Sequence, residues 1–471
     1  MHKILLLYIT VIFIGCAEQS RTPEVVYFAG EIVNPTSDYI VLYKNEVVVD
    51  SAKLDKDNLF SFTIENVEEG LHHFDHAPEL QYIYLEQGDS ILIRLNTMAF
   101  DESLVFSGSN EDVNNFMIEM FLNYEDEEHL INSYYKLAPE TFSVKIDSLR
   151  NQKLVELNTL SLEEGLSDKA FAMAKASIDY NSYLYKEKYP FYHKKKTGED
   201  AFHKLDVSFY DYRNNLDINN KDMVYFRPYY DFMIHHFGNL SYMTCMKKCG
   251  MDSHLAKKNH LHLNRHKMIL IDSMVQEKNL RDNLFRNVTM DYLLKVHEVS
   301  QDCDTFISDF KNLSENPYHK EEITSLYQGI QNLQANQQVP ELLIENSNGE
   351  EMSLKEIAEI ENTVFYFWTA TQKRHFKNVI KHVKRLQQSH PEYNYVGINL
   401  KTGKSQWLAM IKDYELDLAN QYWGSDFQNI QESLIVDGLN KCVITKDGRI
   451  EDAFAHLYKS FSPNKNAMVS K

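Results

Sequence analysis

Cysteine is scarce in this chain: five residues in 471 are too few to staple a scaffold with disulfides, and a chain of this length can rest on apolar cores instead. Past the amino terminus no segment reaches the roughly 18 consecutive apolar residues that cross a bilayer, so no spanning helix is expected there. Positive charge is also short. Lys and Arg total 49 against 68 Asp and Glu, a formal net charge of −19, and no long basic stripe offsets that field, which excludes binding to phosphate backbones. No fixed-period repeat is present, which argues against a solenoid. Between residues 110 and 338 glycine and proline become scarce, and the stretch "FYFWTATQKRHF", residues 365–376, contains no cysteine at all.

What is present bounds the chain further. A hydrophobic fraction of 43% with 12% aromatics excludes wholesale disorder, and 471 residues suit roughly two to four domains. The start, "MHKILLLYITVIFIGCAEQS", has a short basic opening, an apolar run from Ile4 to Ile14 and then Gly15 and Cys16. That run suits a signal-peptide core and is too short to span a membrane. Residues 1–15 are read as signal peptide and 16–24 as a tether.

From 25 to 109, short Val-, Ile-, Tyr- and Phe-rich runs separated by Asn, Pro, Gly and Asp predict an antiparallel β-sandwich. From 110 to 338, apolar residues recurring at three and four predict a helical domain. From 339 to 471 strands and helices alternate, predicting an α/β domain: a hairpin lead-in, the buried strand "NTVFYFW", a helix, the strand "NYVGINL", another helix, and a final hairpin turning at "KDGR". The expected fold is thus multidomain, with β-sandwich, helical and α/β parts in that order.

Three resemblances sharpen this reading. "FIGC" resembles a bacterial lipobox, with Phe13 where Leu is usual; it implies lipid on Cys16, the alternative being a plain secretory signal. Residues 25–109, with "DSAKLDKDNLFSF" the most specific piece, resemble the small β-sandwich at the amino end of many Bacteroidetes lipoproteins. The stretch from 339 to about 458 resembles the TlpA-like, redoxin branch of the thioredoxin superfamily: Val339, Pro340 and Glu341 fall on its Ala-Pro-Asp-like lead-in, "NGEEMSLKEI" on its Gly-Lys-x-Val-Ser-Leu segment, and "FYFW" on the Phe-Trp before its redox site. Reading on from Trp368, the family's Ala-Ser-Trp-Cys-Pro-Pro-Cys falls on Thr369, Ala370, Thr371, Gln372, Lys373, Arg374 and His375, so both cysteines are replaced. Leu439 falls where the family keeps a cis-proline, and an ordinary trans peptide is expected there because a cis bond before a non-proline residue costs about 2.5–4 kcal/mol.

Thiol–disulfide exchange needs a thiolate and a resolving thiol. Gln372 can supply neither, and His375 can hold a proton but close no disulfide. The ordinary reading of Lys373, Arg374 and His375 is a solvated basic helix end; the sharper one is a groove, formed by Trp368, Gln372, Lys373, Arg374, His375 and Leu439, for a carboxylate or peptide at a helix amino terminus, where free N–H groups favour anions. Cys442 reads as a core-strand residue. Cys245 and Cys249, in "TCMKKCG" with Gly250 a natural helix cap, are spaced i, i+4, too far apart for a disulfide unless the turn unwinds. With His254, His260, His262 and His266 they could furnish zinc ligands, but the spacing matches no zinc module, and neither a metal nor a cofactor is expected.

Two functions stay open on this reading. One is a lipid-anchored envelope protein, periplasmic in orientation, whose thioredoxin-like domain is redox-inactive and binds an envelope protein or peptide. The other is a thiol:disulfide oxidoreductase using Cys442 or the Cys245 and Cys249 pair.

Overall fold

The computed structural model describes residues 25–199, 205–249 and 260–461. The expected signal peptide and tether, Cys16, Gly250 and His254 lie outside the described residues. The chain divides into two compact units, Met1–Asn239 and Leu240–Lys471. That boundary falls inside the helical stretch expected from 110 to 338.

The first unit opens with eight strands: β1 Val25–Val33, β2 Tyr39–Lys44, β3 Val47–Lys53, β4 Leu59–Glu65, β5 Gly70–His76, β6 Glu79–Leu85, β7 Ser90–Asn96 and β8 Val105–Gly108. Alternation sets the faces most plainly in β4 and β7. In β4, Phe60, Phe62 and Ile64 point inward, and in β7, Ile91, Ile93 and Leu95 do. The strands form two four-stranded sheets, β4-β1-β7-β8 and β3-β2-β5-β6, enclosing a core with Phe28 stacked on Phe62 at 5.7 Å.

The sandwich departs from the expected antiparallel form at one pairing, since β1 and β7 run parallel, Tyr27 beside Ser90 through Val33 beside Asn96. Parallel neighbours need a long crossover, and here the whole second sheet, β2, β3, β5 and β6, lies between them in sequence. The quoted turn at Asp55–Asn58 forms as read: Asp55 Oδ1 accepts the N–H groups of Asp57 and Leu59, and Asn58 takes φ +61°.

After a single turn, α1 Phe100–Ser103, come α2 Glu111–Tyr134, α3 Pro139–Glu164 and α4 Asp168–Thr197. Two adjacent residues at the start of α2 fasten the sandwich to the helices. Asn114 accepts the Tyr84 N–H at 2.7 Å and donates to its carbonyl at 3.1 Å, while Asn115 makes the same pair with Phe106, both at 2.9 Å.

Farther along, Glu187 on α4 is fully buried. Its carboxylate receives Tyr212 Oη and Arg213 Nε at 2.9 Å, Asn239 Nδ2 at 2.7 Å and a second Arg213 nitrogen, with His236 Nδ1 at 2.8 Å. Burial alone would raise its pKa, but the contacts with His236 and Arg213 outweigh that and hold it at about 2.

The unit boundary falls within α5 Arg227–Lys248. The second unit continues with α6 His260–Met274, α7 Lys278–Val296, α8 Gln301–Leu313 and α9 Pro317–Asn332. Their starts carry ordinary caps: Ser300 accepts the Cys303 N–H, and Asn316 caps a helix that begins on proline.

The α/β part then runs β9 Leu343–Glu345, β10 Glu351–Ser353, α10 Leu354–Ile360, β11 Thr363–Trp368, α11 Lys373–Ser389, β12 Asn394–Asn399, α12 Lys404–Asp413, β13 Gln421–Trp423, α13 Phe427–Ser433, β14 Lys441–Lys446 and β15 Arg449–His456. Its seven-stranded sheet has the order β10-β9-β13-β12-β11-β14-β15, with β11 parallel to β12 and antiparallel to β14. All six residues of β11 are buried, which explains its unbroken apolar run. Asp447 and Gly448, both at positive φ, make the predicted final turn.

Candidate functional site

The site expected from sequence is the junction where β11 hands the chain to α11. Threonines brace that turn. Thr369 Oγ1 lies 3.1 Å from Thr371 Oγ1 and 3.2 Å from Thr402 Oγ1, and the Ala370 N–H donates to Thr402 Oγ1 at 3.1 Å. Thr402 comes from the loop after β12, and its carbonyl accepts Trp423 Nε1 at 2.7 Å. The helix then starts at Lys373 with Gln372 in the cap position and no side chain capping its first turn. The first N–H groups of a helix have no intrahelical partner, and together they favour negative charge.

An open groove of about 640 Å³ lies at this helix start, lined by Gln372, Lys373, Arg374, His375, Asn440 and Tyr458 among others. Lys373 and Arg374 are exposed and His375 is half-buried. His375 Nε2 sits 3.1 Å from Asn440 Oδ1, and its Nδ1 is buried without a hydrogen-bond partner. The groove therefore offers the amides of Gln372, Asn378 and Asn440, two fixed cations, an imidazole and a helix amino terminus, and no sulfur.

Two of the expected groove residues sit elsewhere. Trp368 is fully buried at the end of β11, its indole donating to Gln421 Oε1 at 3.1 Å and packing on Phe376 at 4.8 Å, so it belongs to the core and does not line the groove. Gln421 in turn donates to Tyr366 Oη at 2.8 Å. A Cβ at Gly397 would come within 2.4 Å of the Gln421 amide oxygen, which is why only glycine fits beside this buried pair. Leu439 is half-buried and is not part of the groove wall, whereas its neighbour Asn440 is. The sole cis peptide among the described residues is Ala77–Pro78, so the bond preceding Leu439 is trans.

Sequence reasoning passed over Asn440, Tyr458 and Thr402. The first two come to His375 and its helix because β14 returns beside β11 with β15 paired to its outer side, an arrangement no local pattern announces. A brace such as Thr402 was detectable only as a threonine just past a predicted strand, which is a weak signal.

The described cysteines all lie away from this groove. Cys442 is buried on β14 beside Tyr366 and Ala455, in the strand position expected for it. Cys303 is buried within α8, and burial pushes its thiol up. Cys245 and Cys249 end α5, where the Cys249 N–H still donates to the Cys245 carbonyl at 3.0 Å, so the turn is intact. Burial, followed by the neighbouring Cys249, pushes Cys245 up to about 11, which keeps it a thiol at neutral pH.

Elsewhere in the second unit, Cys245, Cys249 and His262 bring their donor atoms within 4.8 Å of one another. His260, at the exposed start of α6, is not in that group.

No family model matches the sequence, and no curated protein matches it. Among solved structures, the chain is similar to a thioredoxin-like protein from Bacteroides caccae, at 10% identity over 51% of this chain and 92% of that one, with a TM-score of 0.31. It is also similar to the thioredoxin domain of a thiol-disulfide oxidoreductase from Bacteroides vulgatus, at 17% identity over 25% and 86%, TM-score 0.22. A third is a thiol:disulfide interchange protein from a Bacteroides species, at 15% identity over 25% and 79%, TM-score 0.21.

Proposed function

We propose that this chain is a lipid-anchored protein of the bacterial cell envelope whose thioredoxin-like part is redox-inactive and binds a peptide or protein partner. The observation that carries the redox half is the chemistry of the β11–α11 junction. Gln372 and His375 stand where the resemblance places the two cysteines, and the groove they border is also lined by Asn440, 3.1 Å from His375 Nε2. The cationic pair Lys373 and Arg374 beside an uncapped helix start favours a carboxylate-bearing partner. Cys16, within its lipobox-like run, would hold the protein to the membrane. The periplasmic face of the outer membrane is the favoured location, because Ala17 carries no evident inner-membrane retention signal.

The test is insulin reduction by dithiothreitol. Purified protein should give no catalysis above background. A second reading, exchange through displaced thiols, draws its support from the closeness of Cys245 and Cys249. It wins if the wild-type protein reduces insulin at rates typical of thiol oxidoreductases and the Cys245→Ser, Cys249→Ser double variant does not.

A further inference from the structure

We propose that Cys245, Cys249 and His262 form a binding site for a thiophilic divalent cation of the Zn²⁺ class. The two cysteines stand one helical turn apart at the end of α5, and His262 lies in the first turn of α6. Their three donor atoms lie within 4.8 Å of one another. A tetrahedral ion takes sulfur at about 2.3 Å and imidazole nitrogen at about 2.0 Å, which spaces its donors by under 4 Å, so small side-chain rotations close the set.

Three further observations favour a cation over the alternatives. The helices that carry the donors are tied together beside the site, Ser241 Oγ donating to the Leu263 carbonyl at 2.9 Å, so the donors do not have to be gathered from separate places. The Cys245–Cys249 turn keeps its backbone hydrogen bond, and a regular turn holds i and i+4 side chains farther apart than a disulfide tolerates, whereas an ion bridging two sulfurs needs no such approach. His266, one turn beyond His262, stacks parallel to it at 2° with ring centroids 6.4 Å apart, and its Nε2 is buried without a hydrogen-bond partner. The Cys-x₃-Cys and His-x₃-His spacings each place their side chains on one helix face, as in the helical His pairs of zinc enzymes, and Cys245, Cys249 and His262 are the three of these whose donor atoms come together.

The donor set also selects the ion. Two thiolates and an imidazole suit Zn²⁺ or Co²⁺ and disfavour Mg²⁺ and Ca²⁺, which take oxygen ligands. On binding, each thiol loses its proton to solvent as its sulfur bonds the ion. The site is separate from the β11–α11 groove and stands whether or not a partner binds there.

Purified full-length protein, reduced and stripped with a chelator, should be titrated with Co²⁺ alone. The expected result is one Co²⁺ per chain, with visible ligand-field bands of tetrahedral intensity and a sulfur-to-cobalt charge-transfer band, all displaced by Zn²⁺ and unaffected by Mg²⁺. Cys249 is exposed, so Cys249→Ser should keep the fold by circular dichroism while losing about half of the charge-transfer band and binding Zn²⁺ at least tenfold more weakly. His262→Gln should weaken Zn²⁺ to a similar degree with the charge-transfer band retained at saturation. A folded wild-type protein that binds no Co²⁺ overturns the proposal. So does intact mass spectrometry showing a Cys245–Cys249 disulfide that re-forms in the presence of Zn²⁺, or Co²⁺ spectra unchanged in both variants.

Discussion

Glu187→Gln should cost the first unit about 3 kcal/mol at neutral pH, a figure that follows from two routes. The fully buried carboxylate has its pKa held at about 2 against an ordinary 4.5. A depression of that size corresponds to about 3 kcal/mol of interaction favouring the charged form. Independently, removing one partner of a buried ion pair costs about 3–5 kcal/mol, because the other is stranded. Here the stranded group is Arg213, whose Nε and second nitrogen both point at the missing charge.

The sign with pH gives the deeper check. A depressed carboxyl contributes its full stability above the unfolded value and loses it as pH falls toward the folded one, so the gap between wild type and variant should be full at pH 7. It should shrink to about 2 kcal/mol near pH 3.5 and close as pH approaches about 2. Urea unfolding followed by far-UV circular dichroism measures it. All three tryptophans, Trp368, Trp407 and Trp423, lie in the second unit, so their fluorescence reports that unit separately. A neutral-pH difference under about 1 kcal/mol would refute the charge argument, as would a difference that does not narrow in acid.

Trp368→Ala should destabilise the second unit by about 3–5 kcal/mol, since it empties a core position and leaves the Gln421 carbonyl unpaired; a tryptophan-fluorescence midpoint that barely moves would put Trp368 back on the groove. Metabolic labelling with a radioactive fatty acid should mark the wild-type protein and not Cys16→Ser, and equal labelling of both ends the lipid reading. On the thioredoxin-like reading proposed above, joint Gln372→Cys and His375→Cys substitution should give only partial insulin reduction, since Leu439 stays where that resemblance implies a proline; rates typical of thiol oxidoreductases would show that position to be dispensable.

Much of the architecture could be read in advance because it is written in short-range pattern. The alternation of Phe60, Phe62 and Ile64 gives β4 its faces without any neighbour, and positive-φ residues at Asp447 and Gly448 follow from the composition of the final turn. Pairings between distant strands carry no such signature. The parallel β1–β7 contact joins residues some sixty positions apart, and β13 is three residues long, too short to show a period, though it is what joins the lead-in hairpin to the main sheet. The candidate site divides the same way. Gln372 and His375 were singled out through the resemblance of the stretch after Trp368 to a redox motif, while Trp368 faces inward because its indole meets Gln421, a partner 53 residues away.

The two asparagines that open α2 have a consequence for how the chain can be cut. Each reaches the outer backbone of an edge strand, Asn114 at β6 and Asn115 at β8, and so occupies one hydrogen-bonding register on the margin of each sheet. Unpaired margins recruit other strands. A fragment ending at residue 109 would keep every strand of the sandwich yet bare both margins at once, so the piece that looks self-contained in sequence is the one most prone to stack edge to edge, and α2 acts as its selvedge.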